Sequence, residues 1–246
     1  ERPPAAMAQI IHRHLREMTG NPDPYAERKR QLNDAAMRLY PLCREKIASA
    51  VHPLECAARF AIAGNIMDLG VKNRLTEGEM LASFDECLDT PLNGSIDDFA
   101  QAIEQADRIL YLADNAGEIV FDRLLVERLP REKVTVAVRG KPVINDATID
   151  DARYVGLTEV ANVVDNGSDA PGTVLDDCDD EFRRRFEEAD MIISKGQGNY
   201  ETLVVSERPV YFLLRVKCPI IARDLGCPVG TAVLRRSLSD PGTRVA

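Results

Sequence analysis

Four short stretches hold most of the residues that could do chemistry, and all four pair charged or amide side chains with turn residues. Asp114-Asn115-Ala116-Gly117-Glu118 sets two oxygen-bearing side chains beside a glycine, with a further carboxylate at Glu118. Arg139-Gly140-Lys141-Pro142 runs on to Asn145-Asp146-Ala147-Thr148. Ser194-Lys195-Gly196-Gln197-Gly198-Asn199 joins a lysine to two glycines, and Arg215-Val216-Lys217-Cys218-Pro219 supplies more positive charge. Two carboxylates and an amide from separate turns make a hard oxygen donor set, of the kind a divalent cation takes. A lysine beside glycines at the start of a helix offers free N–H groups and charge to a phosphoryl group. A metal held by Asp114, Asn115 and Asp146, with Lys195 and Lys217 beyond it, would suit hydrolysis of a phosphate ester. Three of the stretches, and the further polar loop Asp165–Thr173, also have a plainer explanation. Asp114, Asn115 and Asp146 fit helix N-caps, Lys217 fits a solvated strand end, and Asp165–Thr173 fits a surface turn.

The elements that must carry these residues are legible in the apolar rhythm. From about Ala106, the runs RILYLAD, KVTVAVRG, EVANVVDNG, MIISKG and PVYFLLRV are short and rich in Val, Ile, Leu and Tyr. Amphipathic stretches such as VFDRLLVERL and EFRRRFEEA separate them. This alternation predicts βαβ units with at least five strands, an α/β Rossmann-like three-layer sandwich around a mostly parallel sheet. Ligands of such sheets bind outside the carboxyl ends of the strands, and there the polar stretches fall. From about Ala5 to Leu92 the pattern is helical instead. AAMAQIIHRHLREM stops before Gly20-Asn21-Pro22, Tyr25–Leu42 follows, and a further run opens at Pro53 and closes at Gly70. The expected organisation is an N-terminal helical subdomain over 1–100 and the α/β domain over 101–246.

Composition excludes several other classes. The chain has 246 residues, 45% hydrophobic and 29% charged, enough for a sizeable core. Lys and Arg number 31 against 40 Asp and Glu, for a net charge of −9. An acidic chain without a basic patch is not expected to bind nucleic acid or a membrane surface. No apolar run approaches the roughly 20 residues of a membrane span, and the polar opening ERPPAAMAQIIHRH is no signal peptide. Six cysteines without a C-x-x-C pair read as scattered thiols in a cytoplasmic protein. The dinucleotide, P-loop and nucleophile-elbow motifs are missing, and Ala116 stands where an Asp-x-Asp phosphatase needs its second carboxylate. His12 and His14 are two apart, hence on different helix faces, and His52 precedes Pro53. Histidine-based metal or acid–base chemistry is therefore not expected. The alternative of another class is a non-catalytic nucleotide or small-molecule binding module, which has little need of two carboxylates and an amide at one point.

The ordered series AspAsnAlaGlyGlu, ArgGly, AsnAspAlaThr, LysGlyGlnGlyAsn and ArgValLysCysPro resembles the metal-dependent damage-control phosphatases. That family includes the acidic-residue methyltransferase-like proteins, and the chain is most similar to its compact stand-alone prokaryotic branch. The likeness runs from about residue 8 to 236 and takes in ThrGlyAsnProAspProTyr at 19–25 and AlaGlyAsnIleMetAspLeuGly at 63–70. It implies a divalent metal (manganese, cobalt, nickel or magnesium) on Asp114, Asn115 and Asp146. It makes Asn65 a substrate contact supported by Asp68, places Lys195, Gly196 and Asn199 on the phosphate side, and has Lys217 neutralise the phosphate. Glu118 would orient the Asp-Asn turn or place water. The implied reaction is hydrolysis of small phosphate monoesters, sugar phosphates or damaged phosphometabolites, with Asp114 as metal ligand or as nucleophile. No glycine-rich methyl-donor loop is present to support a methyltransferase.

Overall fold

Helices occupy the first part of the chain because its apolar residues recur every three or four positions. In the computed structural model, which describes residues 4–64 and 76–237, α1 (Pro4–Thr19) ends just before Gly20, whose φ of 64° lets the chain turn away. Helix α2 (Ala26–Ser49) buries Leu32, Ala36, Leu39, Cys43 and Ile47 along one stripe. It runs through Pro41 and past the predicted end at Leu42, since Cys43 and Ile47 keep that stripe in the core. Helix α3 (Pro53–Ala63) opens on a proline, which costs nothing at a first helical position. Helix α4 (Glu77–Asp89) starts from a Thr76–Glu79 capping box.

Beyond these come β1 (Leu92–Gly94), α5 (Ile96–Gln105), β2 (Ile109–Leu112), α6 (Glu118–Val126), β3 (Val134–Val138) and α7 (Ile149–Tyr154). The chain continues through β4 (Asn162–Asp165), α8 (Asp180–Glu188), β5 (Met191–Lys195), α9 (Gly196–Leu203), β6 (Val210–Arg215), α10 (Pro219–Leu225) and β7 (Ala232–Arg236). The sheet order is β1-β7-β6-β5-β2-β3-β4. Strands β2 to β6 are mutually parallel, while β7 runs antiparallel to β6 and carries β1 parallel to itself. The mostly parallel α/β sandwich is as predicted, and its five parallel strands are those read from the sequence. LNG and AVLRR are too short or too polar to announce themselves as β1 and β7. Strand β1 thus joins the sheet from within the first hundred residues, and residue 100 itself lies inside α5.

One face of the sheet, with Tyr111, Val136, Ile193 and Leu213, shares a continuous core with α2, α3 and α6. The other, with Leu110, Leu112, Ile192 and Phe212, packs on Phe182 and Phe186 of α8 and Tyr200 of α9. Strand β2 has β3 on one side and β5 on the other, so the winding direction reverses between β2 and β5. A crevice opens outside the carboxyl ends of strands at such a reversal. Among the described residues no helix is long and apolar enough to cross a membrane.

Candidate active site

The turns after β2 and β3 are stitched together by their backbones. The Ala147 N–H donates to the Asp114 carbonyl (2.8 Å), the Ala116 N–H donates to the Asn145 carbonyl (2.8 Å), and Asn115 and Asp146 form an antiparallel bridge. The β3 turn closes with Asp146 N–H on the Val143 carbonyl (3.0 Å). Ile144 inside it has a φ of 44°, the one positive value at a non-glycine among the described residues. A β-branched residue there costs about 1–3 kcal/mol, which the surrounding bonds must offset. Side chains continue the link, because Asn115 Nδ2 donates to Asp114 Oδ2 (2.7 Å) and to Glu118 Oε2 (3.3 Å).

None of these groups caps a helix. Helix α6 starts from Gly117 (φ 78°) without a side-chain cap, and the Gly117 N–H goes to Asn33 Oδ1 of α2 at 2.7 Å. Helix α7 is capped by Thr148 and Asp151, whose carboxylate takes the Thr148 N–H (2.9 Å) and hydroxyl (2.8 Å). The capping explanation therefore fails for Asp114, Asn115 and Asp146.

Across the switch point, Gly196 (φ 77°) begins α9 directly against Asp114. A Cβ on it would stand 1.9 Å from Asp114 Oδ2, so only glycine admits the carboxylate. Arg139, at the end of β3, is buried between the two acids. Its Nε donates to Asp146 Oδ2 (2.7 Å), and Nη2 lies 4.0 Å from Asp114 Oδ1. The same guanidinium donates to Asn199 Oδ1 (2.9 Å) and to Thr173 Oγ1 (3.3 Å). Sequence reasoning assigned Arg139 no role. Its signal was a cation at a strand end, one place before a glycine.

Two expectations need correction. Lys195 was placed on the phosphate side, yet its side chain is 0% exposed. Strand alternation puts it on the face of Met191 and Ile193, under the edge rather than over it. There Nζ donates to Asp122 Oδ1 (2.5 Å), Glu118 Oε1 (2.8 Å) and the Ala61 carbonyl (2.7 Å). It braces Glu118, which in turn steadies Asn115. Asn199 is likewise enclosed, with Nδ2 on the Lys195 (2.8 Å) and Ala113 (3.2 Å) carbonyls and Oδ1 on Arg139. It positions Arg139 instead of lining an open pocket. Lys217 does stand at the carboxyl edge, exposed and without an ion pair among the described residues, and its charge acts on Asp114. Asn65 and Asp68 lie outside the described residues.

Charge in this region does not balance. Asp114, Glu118, Asp122 and Asp146 are buried, and the buried cations among them are Arg139 and Lys195. Burial raises Asp114 well above the ordinary carboxylate range, and the charges of Glu118 and Asp146 push it further, against Arg139 and Lys217. Burial also lifts Asp146 despite Arg139, and takes Asp122 to about 6 despite Lys195. Burial works against the Lys195 ammonium, but Asp122 and Glu118 hold its pKa above the usual lysine value. A carboxyl group in such surroundings either keeps its proton or pairs with a cation. Among the described residues no three His, Cys, Asp or Glu side chains group to hold one. An ion here would rest on Asp114 and Asp146 with the Asn115 amide, a sparse set of hard oxygen donors that suits magnesium- or manganese-like ions. The residues present fit such a group.

The sequence profile of the Damage-control phosphatase ARMT1-like domain matches residues 1–233. The chain belongs to this family. A damage-control phosphatase of Archaeoglobus fulgidus is 40% identical, over 94% of this chain and 82% of that protein. A damage-control phosphatase of Pyrococcus horikoshii is 34% identical, over 95% and 82%. An uncharacterized protein of Methanocaldococcus jannaschii is 36% identical, over 94% and 79%. The crystal structure of a DUF89 family protein from Pyrococcus horikoshii superimposes with a TM-score of 0.84 at 32% identity, covering 94% of this chain and 81% of that one. Likeness to this family thus extends through both the helical part and the sheet that carries the acidic crevice.

Proposed function

We propose that the chain is a divalent-metal-dependent phosphatase that hydrolyses small phosphate monoesters. The observation that carries this is the excess of buried carboxylate at the β2–β5 switch point, with the free ammonium of Lys217 beside it. Membership in the damage-control phosphatase family supports the reaction class. Asp114, Asn115 and Asp146 would hold the metal, which when bound would offset the excess charge and polarise a phosphoryl oxygen.

The chain's own groups have separate tasks. Arg139 fixes the Asp146 carboxylate in place and is itself fixed by Asn199 and Thr173. Lys195 holds Glu118, and Glu118 holds the Asn115 amide. Gly196 leaves room for Asp114 and opens α9, whose first N–H groups face the crevice end of the sheet. Lys217 offsets the charge gathering on the phosphoryl oxygens during transfer.

The test is turnover of p-nitrophenyl phosphate after chelation, with manganese, cobalt, nickel and magnesium restored singly. Turnover that returns with a metal supports the proposal. No turnover under any of them, together with tight nucleotide binding by calorimetry, replaces it with the binding-module alternative.

A further inference from the structure

Helix α1 lies across the site at its β3–β4 end. Gln9, His12, Arg13 and Arg16 share one face at helical spacing. Three of them are committed to the loops that follow β3 and β4. Gln9 Nε2 donates to Asp169 Oδ1 (2.7 Å) and Asp177 Oδ2 (2.6 Å), and Arg13 reaches Asp169 with Nη2 at 2.5 Å and Nε at 3.0 Å from both oxygens. Arg16 pairs with Asp169 and donates to the Pro142 carbonyl at 2.7 Å. The Asp169 loop in turn serves the site: its Thr173 hydroxyl accepts from Arg139 Nη1 (3.3 Å) and donates to Asn199 Oδ1 (2.8 Å). The helix is therefore built into the wall of the crevice.

His12 is the uncommitted member of that face. It is half-buried, meets Tyr25 edge-on at 5.6 Å, and makes no hydrogen bond among the described residues. It is close enough to Asp146 and Arg16 for their charges to act on it. Burial lowers its pKa, Arg16 lowers it further, and Asp146 opposes them. Burial and Arg16 favour the neutral ring, which carries one donor and one acceptor nitrogen. That pairing matches a hydroxyl, whereas a phosphate dianion asks for donors alone. Lys217 stands after β6, at the far side of the crevice from α1's anchors after β3 and β4.

We propose that His12 is a substrate-contacting residue that sets specificity: carried by α1, its imidazole hydrogen-bonds a hydroxyl on the organic part of a phosphomonoester whose phosphoryl group lies toward Lys217. This rests on the phosphatase reading above. The experiment compares ribose 5-phosphate with p-nitrophenyl phosphate, which has no hydroxyl on its leaving group, using the metal-restored protein. For His12→Ala, KM for ribose 5-phosphate rises about tenfold, while both constants for p-nitrophenyl phosphate stay within about twofold. His12→Gln, which keeps a donor and an acceptor, recovers part of the loss. Asp169→Asn, which frees α1, produces the same selective rise and adds little to His12→Ala. An unchanged preference, or an equal loss on both substrates, overturns the assignment while the phosphatase reading stands. A wild-type protein that turns over neither substrate under any metal overturns both.

A readout independent of turnover comes from the imidazole itself. The chain has 3 histidines, so ring resonances in histidine-labelled protein are assigned by the His12→Ala spectrum. Ribose 5-phosphate shifts the His12 resonance and inorganic phosphate leaves it in place. A resonance that ignores ribose 5-phosphate, or that follows inorganic phosphate equally, overturns the proposal.

Discussion

Asp169 and Asp114 are buried aspartates at the carboxyl edge of the same sheet, and their surroundings drive them in opposite directions. Burial acts to raise Asp169, but Arg13, Gln9 and Arg16 together hold it at about 2. Asp114 meets burial with other carboxylates close by and is raised well above its ordinary value. The first site is electrostatically complete, and what it does is clamp α1 to the β4 loop. The second has more buried acid than Arg139 can balance, and its Asp114 carboxylate fits only because residue 196 is glycine. The two lysines repeat the contrast. Lys195 is enclosed and satisfied by two carboxylates, while Lys217 is exposed and unpaired among the described residues. A satisfied buried charge marks structure; an unsatisfied one marks a place for a ligand.

That contrast breaks most sharply at Asp114. Asp114→Ala lowers metal-dependent turnover at least about a thousandfold and leaves the thermal midpoint unchanged or raised, because it removes a buried acid whose surroundings disfavour its charged form. A lowered midpoint with activity retained would make the crevice a second clamp. Lys195→Met does the reverse, leaving Glu118 and Asp122 without their partner and costing about 3–5 kcal/mol in urea unfolding. Manganese at a hundred times its dissociation constant stabilises the wild type by about 2.7 kcal/mol, and Asp114→Asn abolishes that gain while Asp169→Asn keeps it.

Asp169→Asn costs about 1.5–3 kcal/mol at pH 7. Its folded pKa of about 2 lies below the unfolded value near 3.9, so the stabilisation is complete above that unfolded value and disappears as pH falls toward 2. Urea midpoints of wild type and variant therefore converge on acidification. A gap that stays constant to pH 2 would mean Asp169 is not held as a charged group. The smallest effect belongs to Lys217→Ala, which lowers kcat/KM about tenfold with an unchanged urea midpoint.

Local pattern revealed the five parallel strands and the Asp114-Asn115 and Asp146 turns, because strand alternation and turn residues are written within a few positions of one another. It placed Lys195 correctly in the chain and wrongly in space. A lysine at a strand end points up or down according to which face of the strand it occupies, and only α3 and α6 packed below the sheet decide where its ammonium finds partners. The loop Asp165–Thr173 looked like a surface turn because Arg13, which buries its Asp169, lies 156 residues away in the chain. Arg139 was equally quiet, since its meaning depends on Asp146, Thr173 and Asn199 converging from two different loops and the first turn of α9.

The chain's order of residues alone determined the α/β class, the strand-end placement of its acids and amides, and the resemblance to its family. Tertiary structure decided which of those groups are mutually satisfied and which are left short of charge. The physical reason is that periodicity is a property of neighbours in sequence, whereas desolvation and ion pairing depend on groups that meet only after the sheet has closed.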